Sequence, residues 1–245
     1  MKFRSLLFAA AALCLGAASV HAATPGYVTK AIADPSRPAS DTKRDQYYRP
    51  ETILTFAGVK PGMKVADFLI WDGYFTRLFS DIVGPKGFVY AYYVTEEDTV
   101  RPKTGARVGQ DLEALKNVGI IHASTAQFVT PEPVDMVWIG WSYHDMHNTK
   151  LFRGLDIAAV NKAIFASLKH GGTYVVLDRA AKPGTRMQGA RIEEQLVRSE
   201  IEAAGFQFVA SSKAVRDPSD DYTKKAGKAN YDVVTDEFLM KFRKP

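Results

Sequence analysis

The segment KVADFLIWDGYFTRLFS, Lys64 to Ser80, constrains the fold more than any other stretch. Lys64 to Leu69 is an apolar run of strand type. From about Tyr74 to Val83, Phe75, Leu78, Phe79 and Ile82 recur at helical spacing. The turn between them, Ile70-Trp71-Asp72-Gly73, holds one glycine. A strand that passes through a tight turn into a helix is the building unit of parallel sheets covered by helices on both faces.

The alternation continues along the chain. A short helix in ETILTFAGVKPGM, with Ile53, Leu54, Phe56 and Ala57 on one side, precedes the first strand and is stopped by Gly58 and Pro61-Gly62. FVYAYYV reads as a second strand, DLEALKNVG as a short helix and IIHASTAQF as a third strand with its loop. VDMVWIGW, Val134 to Trp141, is apolar on both faces, as a central strand must be. DIAAVNKAIFASLKHGG reads as a helix closed by Gly171-Gly172, followed by the strand TYVVLDRA. RIEEQLVRSEIEAAGF is a further helix, and QFVASSKAV and DVVTDEFLMKFRKP are strands with no helix between them. The fold class expected is therefore α/β, a three-layer sandwich with a mostly parallel sheet and an antiparallel final strand, the last two strands pairing as a hairpin at one edge.

The first 22 residues stand apart. Lys2 and Arg4 precede an apolar run from Leu6 to about Ala18, and Val20-His21-Ala22 has the form of a cleavage site, the pattern of a secretory signal peptide. The run is short for a bilayer span, which needs roughly 20 apolar residues. The expected organisation is a signal peptide at 1–22, an N-terminal arm at 23–50 and an α/β domain at 51–245. The mature chain is then periplasmic or secreted, with no membrane span. Cys14, the one cysteine, leaves with the leader, so the core alone must stabilise the fold. The 32 cations less Lys2 and Arg4, against 27 anions, leave +3. No basic block interleaved with aromatics remains, which argues against a nucleic-acid partner. The arm, ATPGYVTKAIADPSRPASDTKRDQYYRP, reads as extended with a short helical turn. Its Arg37, Asp41, Arg44 and Asp45 either fold over the ligand face of the sheet or form a solvated charged stretch.

FAGVKPGMKVAD, GYFTRLFSDIVGPKGFVYA, SYHDMHN, AIFASLKHGGTYVVLDRAAKPGT, RIEEQLVRSEIEAAGF and LMKFRKP, in that order, resemble the exported "predicted methyltransferase" family of Gram-negative bacteria, from about Ala33 to Pro245. The resemblance implies a class I S-adenosylmethionine (SAM)-dependent methyltransferase, Rossmann-like in fold, with SAM as cofactor; it does not name the methyl acceptor, and the partner expected is a small-molecule substrate or ligand. It implies cofactor contacts at Asp67, Gly73, Tyr74, Phe75, Thr76 and Tyr93.

The residues themselves leave that cofactor in question. Glycines let a ligand approach the backbone closely, and a helix N-terminus attracts its carboxylate. In D-x-G-x-G-x-G aligned from Asp67, the glycine positions are Leu69, Trp71 and Gly73. Asp72 puts a negative charge just before the helix. At the end of the second strand, where an acidic side chain binds ribose hydroxyls, stands Tyr93, with Glu96 and Glu97 a few residues on; Thr125 takes the place of an adenine-binding acid.

WSYHDMHN follows the fourth strand, at the carboxyl end where open α/β sheets bind ligands. His144 is the candidate general base, with Tyr143 and Asp145 beside it and Asp145 or another carboxylate to orient it. A polar loop that merely caps the sheet is the alternative. His144 and His147 have no specific metal-ligand spacing, and no metal is expected. No G-x-S-x-G elbow is present. Tyr47, Tyr48, Tyr74, Tyr92 and Tyr93 are candidates for an aromatic lining. Two functions stay open: an exported methyltransferase with a degenerate cofactor loop, and a catalytically silent relative that binds another small molecule or a protein. The direction of the Trp71 side chain separates them.

Overall fold

A computed structural model describes residues 23–99, 108, 111–223 and 235–245. The expected signal peptide lies outside the described residues, as does most of the segment before the final strand. Seven strands form one sheet: β1 (Lys64–Phe68), β2 (Phe88–Val94), β3 (Val118–Ala123), β4 (Val134–Gly140), β5 (Leu168–Arg179), β6 (Gln207–Ser212) and β7 (Glu237–Arg243). Their order is β3-β2-β1-β4-β5-β7-β6. β1 to β5 pair in parallel, and β7 runs antiparallel to both β5 and β6. The edge hairpin expected from the sequence is present, with β7 inserted between β5 and β6.

Parallel strands buried on both faces need apolar side chains at odd and even positions alike. One face carries Ala66, Phe68, Tyr92, Val137, Ile139, Tyr174 and Val176, packed under the helices Ile157–Ser167 and Glu194–Ala203. The other carries Val65, Val89, Met136, Trp138, Val175 and Leu177 under the helices Pro50–Ala57 and Tyr74–Val83. Tyr74 to Val83 is helical over the span expected, and it turns Phe75, Leu78, Phe79 and Ile82 into the second core.

Two elements differ from expectation. The helix before β5 ends at Ser167, and Leu168 already pairs with Val134, so Gly171-Gly172 lies inside the strand rather than at a helix end. Gly171 has φ 77°, a left-handed kink that breaks the early part of the strand without ending it. The arm is helical rather than extended, with short helices at Gly26–Ile32, Ala39–Thr42 and Asp45–Tyr48. Of its four charged residues singled out above, Arg37, Asp41 and Arg44 are buried and Asp45 is partly so, rather than forming a solvated stretch.

β1 leads to β2 on one side, while β4 lies on its other side. This is the topological switch point, and the crevice outside the carboxyl ends of β1 and β4 is where such sheets hold ligands.

Candidate functional site in the crevice between β1 and β4

The turn after β1 has the backbone of a glycine-rich loop without its glycines. Leu69, Trp71 and Gly73 have φ of 63°, 55° and 76°. Left-handed backbone costs a residue with a side chain about 1–2 kcal/mol. Leu69 offsets that cost by burying its side chain among Phe68, Tyr92 and Ile139. Trp71 turns into the crevice, and its indole Nε1 donates to Ser142 Oγ beyond the end of β4. The largest side chain of the turn thus bridges the two walls of the crevice.

The anion seat at the start of helix Tyr74–Val83 holds a carboxylate of the protein's own. The Tyr74 backbone N–H lies 3.4 Å from Asp72 Oδ1, and Arg44 Nη1 donates to Asp72 Oδ2 at 2.6 Å. Arg44 Nη2 donates to Asp41 at 2.5 Å, and Asp41 accepts from Arg77 Nε at 2.6 Å. Arg37 forks onto Asp45 at 2.7 and 2.8 Å, while Tyr74 Oη donates to Asp45 at 2.5 Å. Burial alone would lower the Arg44 pKa; Asp72 and Asp41 outweigh it and hold the guanidinium charged. This network binds the arm to the turn.

On the β2 side the crevice is filled. Tyr93 packs with Ile70, Ala91, Val108 and Leu112, and its ring lies 5.3 Å from that of His122. The Glu96 carboxylate accepts from Ser124 Oγ at 2.8 Å and from the Thr125 backbone N–H at 3.0 Å, so it stabilises the loop after β3. Tyr93 is therefore core, because its strand position faces the apolar cluster under Leu112.

Between β1, β4 and β5 lies a cavity of about 240 Å³, and among the described residues no part of β2 or β3 lines it; a second cavity, of about 800 Å³, lies on the far side of Asp72 between the arm, Arg77 and Val108. Of the expected site residues, the first cavity brings together Asp67, Tyr74, Phe75, His144 and Asp145; Gly73, Thr76, Tyr93 and Tyr143 do not line it. Tyr143 belongs to the opposite layer, where its hydroxyl donates to Glu200 at 3.0 Å and accepts from Asn161 at 2.8 Å. Thr76 acts from behind, donating its hydroxyl to Asp67 Oδ2 at 2.6 Å. Tyr48 and Tyr74 are the tyrosines of the expected aromatic lining that reach the first cavity.

Asp67 is 3 % exposed. Burial pushes its carboxyl up to about 7; the Thr76 hydroxyl opposes this, Asp72 adds to it and Arg77 opposes it. His144 Nδ1 lies 2.8 Å from Asp178 Oδ1, and the His144 backbone N–H donates to Asp178 Oδ2 at 2.8 Å. The orienting carboxylate is thus Asp178 at the end of β5, while Asp145 lies 3.4 Å from Nε2. Burial lowers the His144 pKa, but Asp178 and Asp145 outweigh it and raise it above 6.5.

Sequence reading missed Trp138, Trp141, Asp178 and Arg179. Trp141 has φ 52°, its ring centroid lies 4.5 Å from that of Tyr48, and its Nε1 donates to Glu237 at 2.8 Å. Asp178-Arg179 closes an otherwise apolar strand at its carboxyl end, and that placement was the available signal.

SAM does not fit these residues as they stand. The cavity between β1 and β4 falls below the roughly 300–1,000 Å³ of sites for drug-sized ligands. Trp71 bridges it, Asp72 fills the anion seat, and the β2 side is packed with apolar side chains.

No family model and no curated protein matches the sequence. Solved structures do match. A SAM-dependent methyltransferase from Aquifex aeolicus is 20 % identical, with a TM-score of 0.59 over 85 % of this chain and 99 % of that one. The 1,6-didemethyltoxoflavin-N1-methyltransferase of Burkholderia thailandensis, solved with S-adenosylhomocysteine bound, is 17 % identical with a TM-score of 0.53 over 84 % and 78 %. The [4+2]-cyclase SpnF is 15 % identical, with a TM-score of 0.55 over 84 % and 81 %. At these identities the likeness is one of architecture: the chain has the class I methyltransferase-like fold.

Proposed function

We propose that this chain is a small-molecule-binding protein on a methyltransferase-like fold, whose crevice between β1 and β4 takes a ligand smaller than SAM. The observation that carries this reading is the Trp71 indole joined to Ser142 across the crevice. The cyclase among the similar structures illustrates that one architecture serves different chemistry. Calorimetric titration with SAM and S-adenosylhomocysteine tests it. The wild-type chain should give no heat at millimolar ligand, whereas Trp71→Gly should gain measurable binding. Micromolar binding by the wild type would sink the proposal.

A second reading is favoured by the left-handed backbone kept at Leu69, Trp71 and Gly73. In it, Trp71 swings aside, SAM enters, and the chain is a methyltransferase with His144 as the group that exchanges a proton with the methyl acceptor. That reading requires wild-type binding in the same titration. We further propose a periplasmic or secreted setting, supported by the leader pattern of residues 1–22. Cell fractionation with N-terminal sequencing should find a mature chain that starts at Ala23; a cytoplasmic chain that retains Met1 would refute it.

A further inference from the structure

The cavity between β1 and β4 has a composition of its own. Tyr48, Trp71, Phe75, Trp138 and Trp141 supply its aromatic walls, and the buried carboxylate of Asp67 opens into it. Asp67 Oδ2 accepts from Thr76, and among the described residues Oδ1 accepts no hydrogen bond. A buried carboxylate held by one hydroxyl beside aromatic walls is costly to keep charged, and a cation offsets that cost. Aromatic faces add to the attraction for a charged group within about 6 Å of a ring centroid. The protein already uses one of these walls, Tyr48, and the neighbouring Tyr74 that way. The Arg44 guanidinium, which does not line the cavity, lies 5.2 Å from the Tyr48 ring and 5.0 Å from the Tyr74 ring.

Most of the other charges in and around the enclosure are paired, Arg179 being the cation for which no ion pair forms among the described residues. Asp72 is paired with Arg44, His144 with Asp178, and Glu237 with Arg49. Asp145 lies on the His144 side, and Arg179 stands at the end of β5. Strand spacing puts β5 about 10 Å from β1 across the sheet, so a short cation held at Asp67 lies away from Arg179. The volume of about 240 Å³ is ample for a head of four or five heavy atoms and too small for a nucleoside with its side chain.

We infer that the crevice binds a small organic ammonium ion, with its head against the aromatic wall formed by Trp71 and the packed Phe75 and Trp141 rings, and its charge against Asp67. This deepens the proposed function and rests on it. The closing experiment titrates the wild-type chain with choline, with its neutral isostere 3,3-dimethylbutan-1-ol, and with acetate, following heat and tryptophan fluorescence. Choline should bind at least tenfold more tightly than the isostere, and acetate should not bind. Asp67→Asn should weaken choline at least tenfold and leave the isostere within twofold. Equal affinity for choline and the isostere would overturn the inference, as would binding of acetate in place of choline, or no choline binding at all. The wild-type comparison decides the matter even where Asp67→Asn fails to fold. Absence of both SAM and choline binding would sink this inference and leave the proposed function standing. Micromolar SAM binding would sink that function whatever choline does.

Discussion

Replacing Asp67 by Asn tests the physical core of the site. In the folded chain burial holds this carboxyl near 7, against 3.8 in the unfolded chain. Below pH 4 both states carry the proton and the group favours neither. As pH rises, the unfolded chain loses its proton first, so folding stability falls progressively and the loss is complete once pH passes about 7. The interval from 3.8 to about 7 corresponds to about 4 kcal/mol at 1.36 kcal/mol per pH unit. Relaxation around the cavity and the free amide of Asn reduce this, and about half is a fair expectation. Asn keeps an oxygen for the Thr76 hydroxyl and never ionises. At pH 8 the variant should therefore be more stable by about 2 kcal/mol, a rise in melting temperature of about 4–8 °C for a domain of this size. At pH 4 the two curves should nearly coincide, and by pH 5 they should already have begun to separate. Thermal unfolding followed by circular dichroism from pH 4 to 9 measures this. A difference that stays constant across that range would refute the argument, and so would a variant less stable than wild type at pH 8.

Other perturbations have definite outcomes. Trp71→Gly loses the Ser142 hydrogen bond and ring packing but relieves left-handed strain, so its net cost should be about 1 kcal/mol, a fall of 2–4 °C in melting temperature. Arg44→Ala leaves the buried Asp41 with Arg77 alone and Asp72 without the Arg44 guanidinium; it should cost about 2 kcal/mol in chemical unfolding, and a loss under about 0.5 kcal/mol would mean that Arg44 does not tie the arm to the turn. Asp178→Asn removes the main partner of His144, so its imidazole pKa, followed by NMR, should fall below the wild-type value. The His144 contribution to stability, present below 6.5 and lost as pH rises through its raised folded pKa, should shrink with it. Deleting residues 23–49 removes Tyr48 from the cavity and Arg49 from Glu237, and should lower the melting temperature by more than 5 °C.

Most of the architecture is legible in the sequence because parallel strands and amphipathic helices write their periods directly. Helix Tyr74–Val83 and the reversed β7 are of that kind. The break at Gly171-Gly172 misled because a glycine pair reads as a helix end, whereas here it kinks a strand that neighbours on both sides hold in place. The arm was illegible for a different reason. Its charges pair with Asp72, Tyr74 and Arg77, some 30 residues away in sequence, so their burial depends on contacts that local composition does not report. The missing glycines at 69 and 71 could be read, but not that the backbone would keep its left-handed form regardless. Nor was the direction of Trp71 legible, since it is set by Ser142 in another loop. The site was found only in part: His144 and Asp67 stand out as polar residues at strand ends, while Asp178 and Trp141 close apolar runs and read as more of the same.

The left-handed turn also bears on how this crevice can change over generations. Tryptophan has a single codon, and one base substitution converts it into a glycine codon. At position 71 that change meets a backbone already shaped for glycine, so the fold does not have to be relearned to accommodate it. The sealed crevice is thus one point mutation from being reopened, at little cost in stability. A chain with this turn has a short mutational path to a wider ligand space.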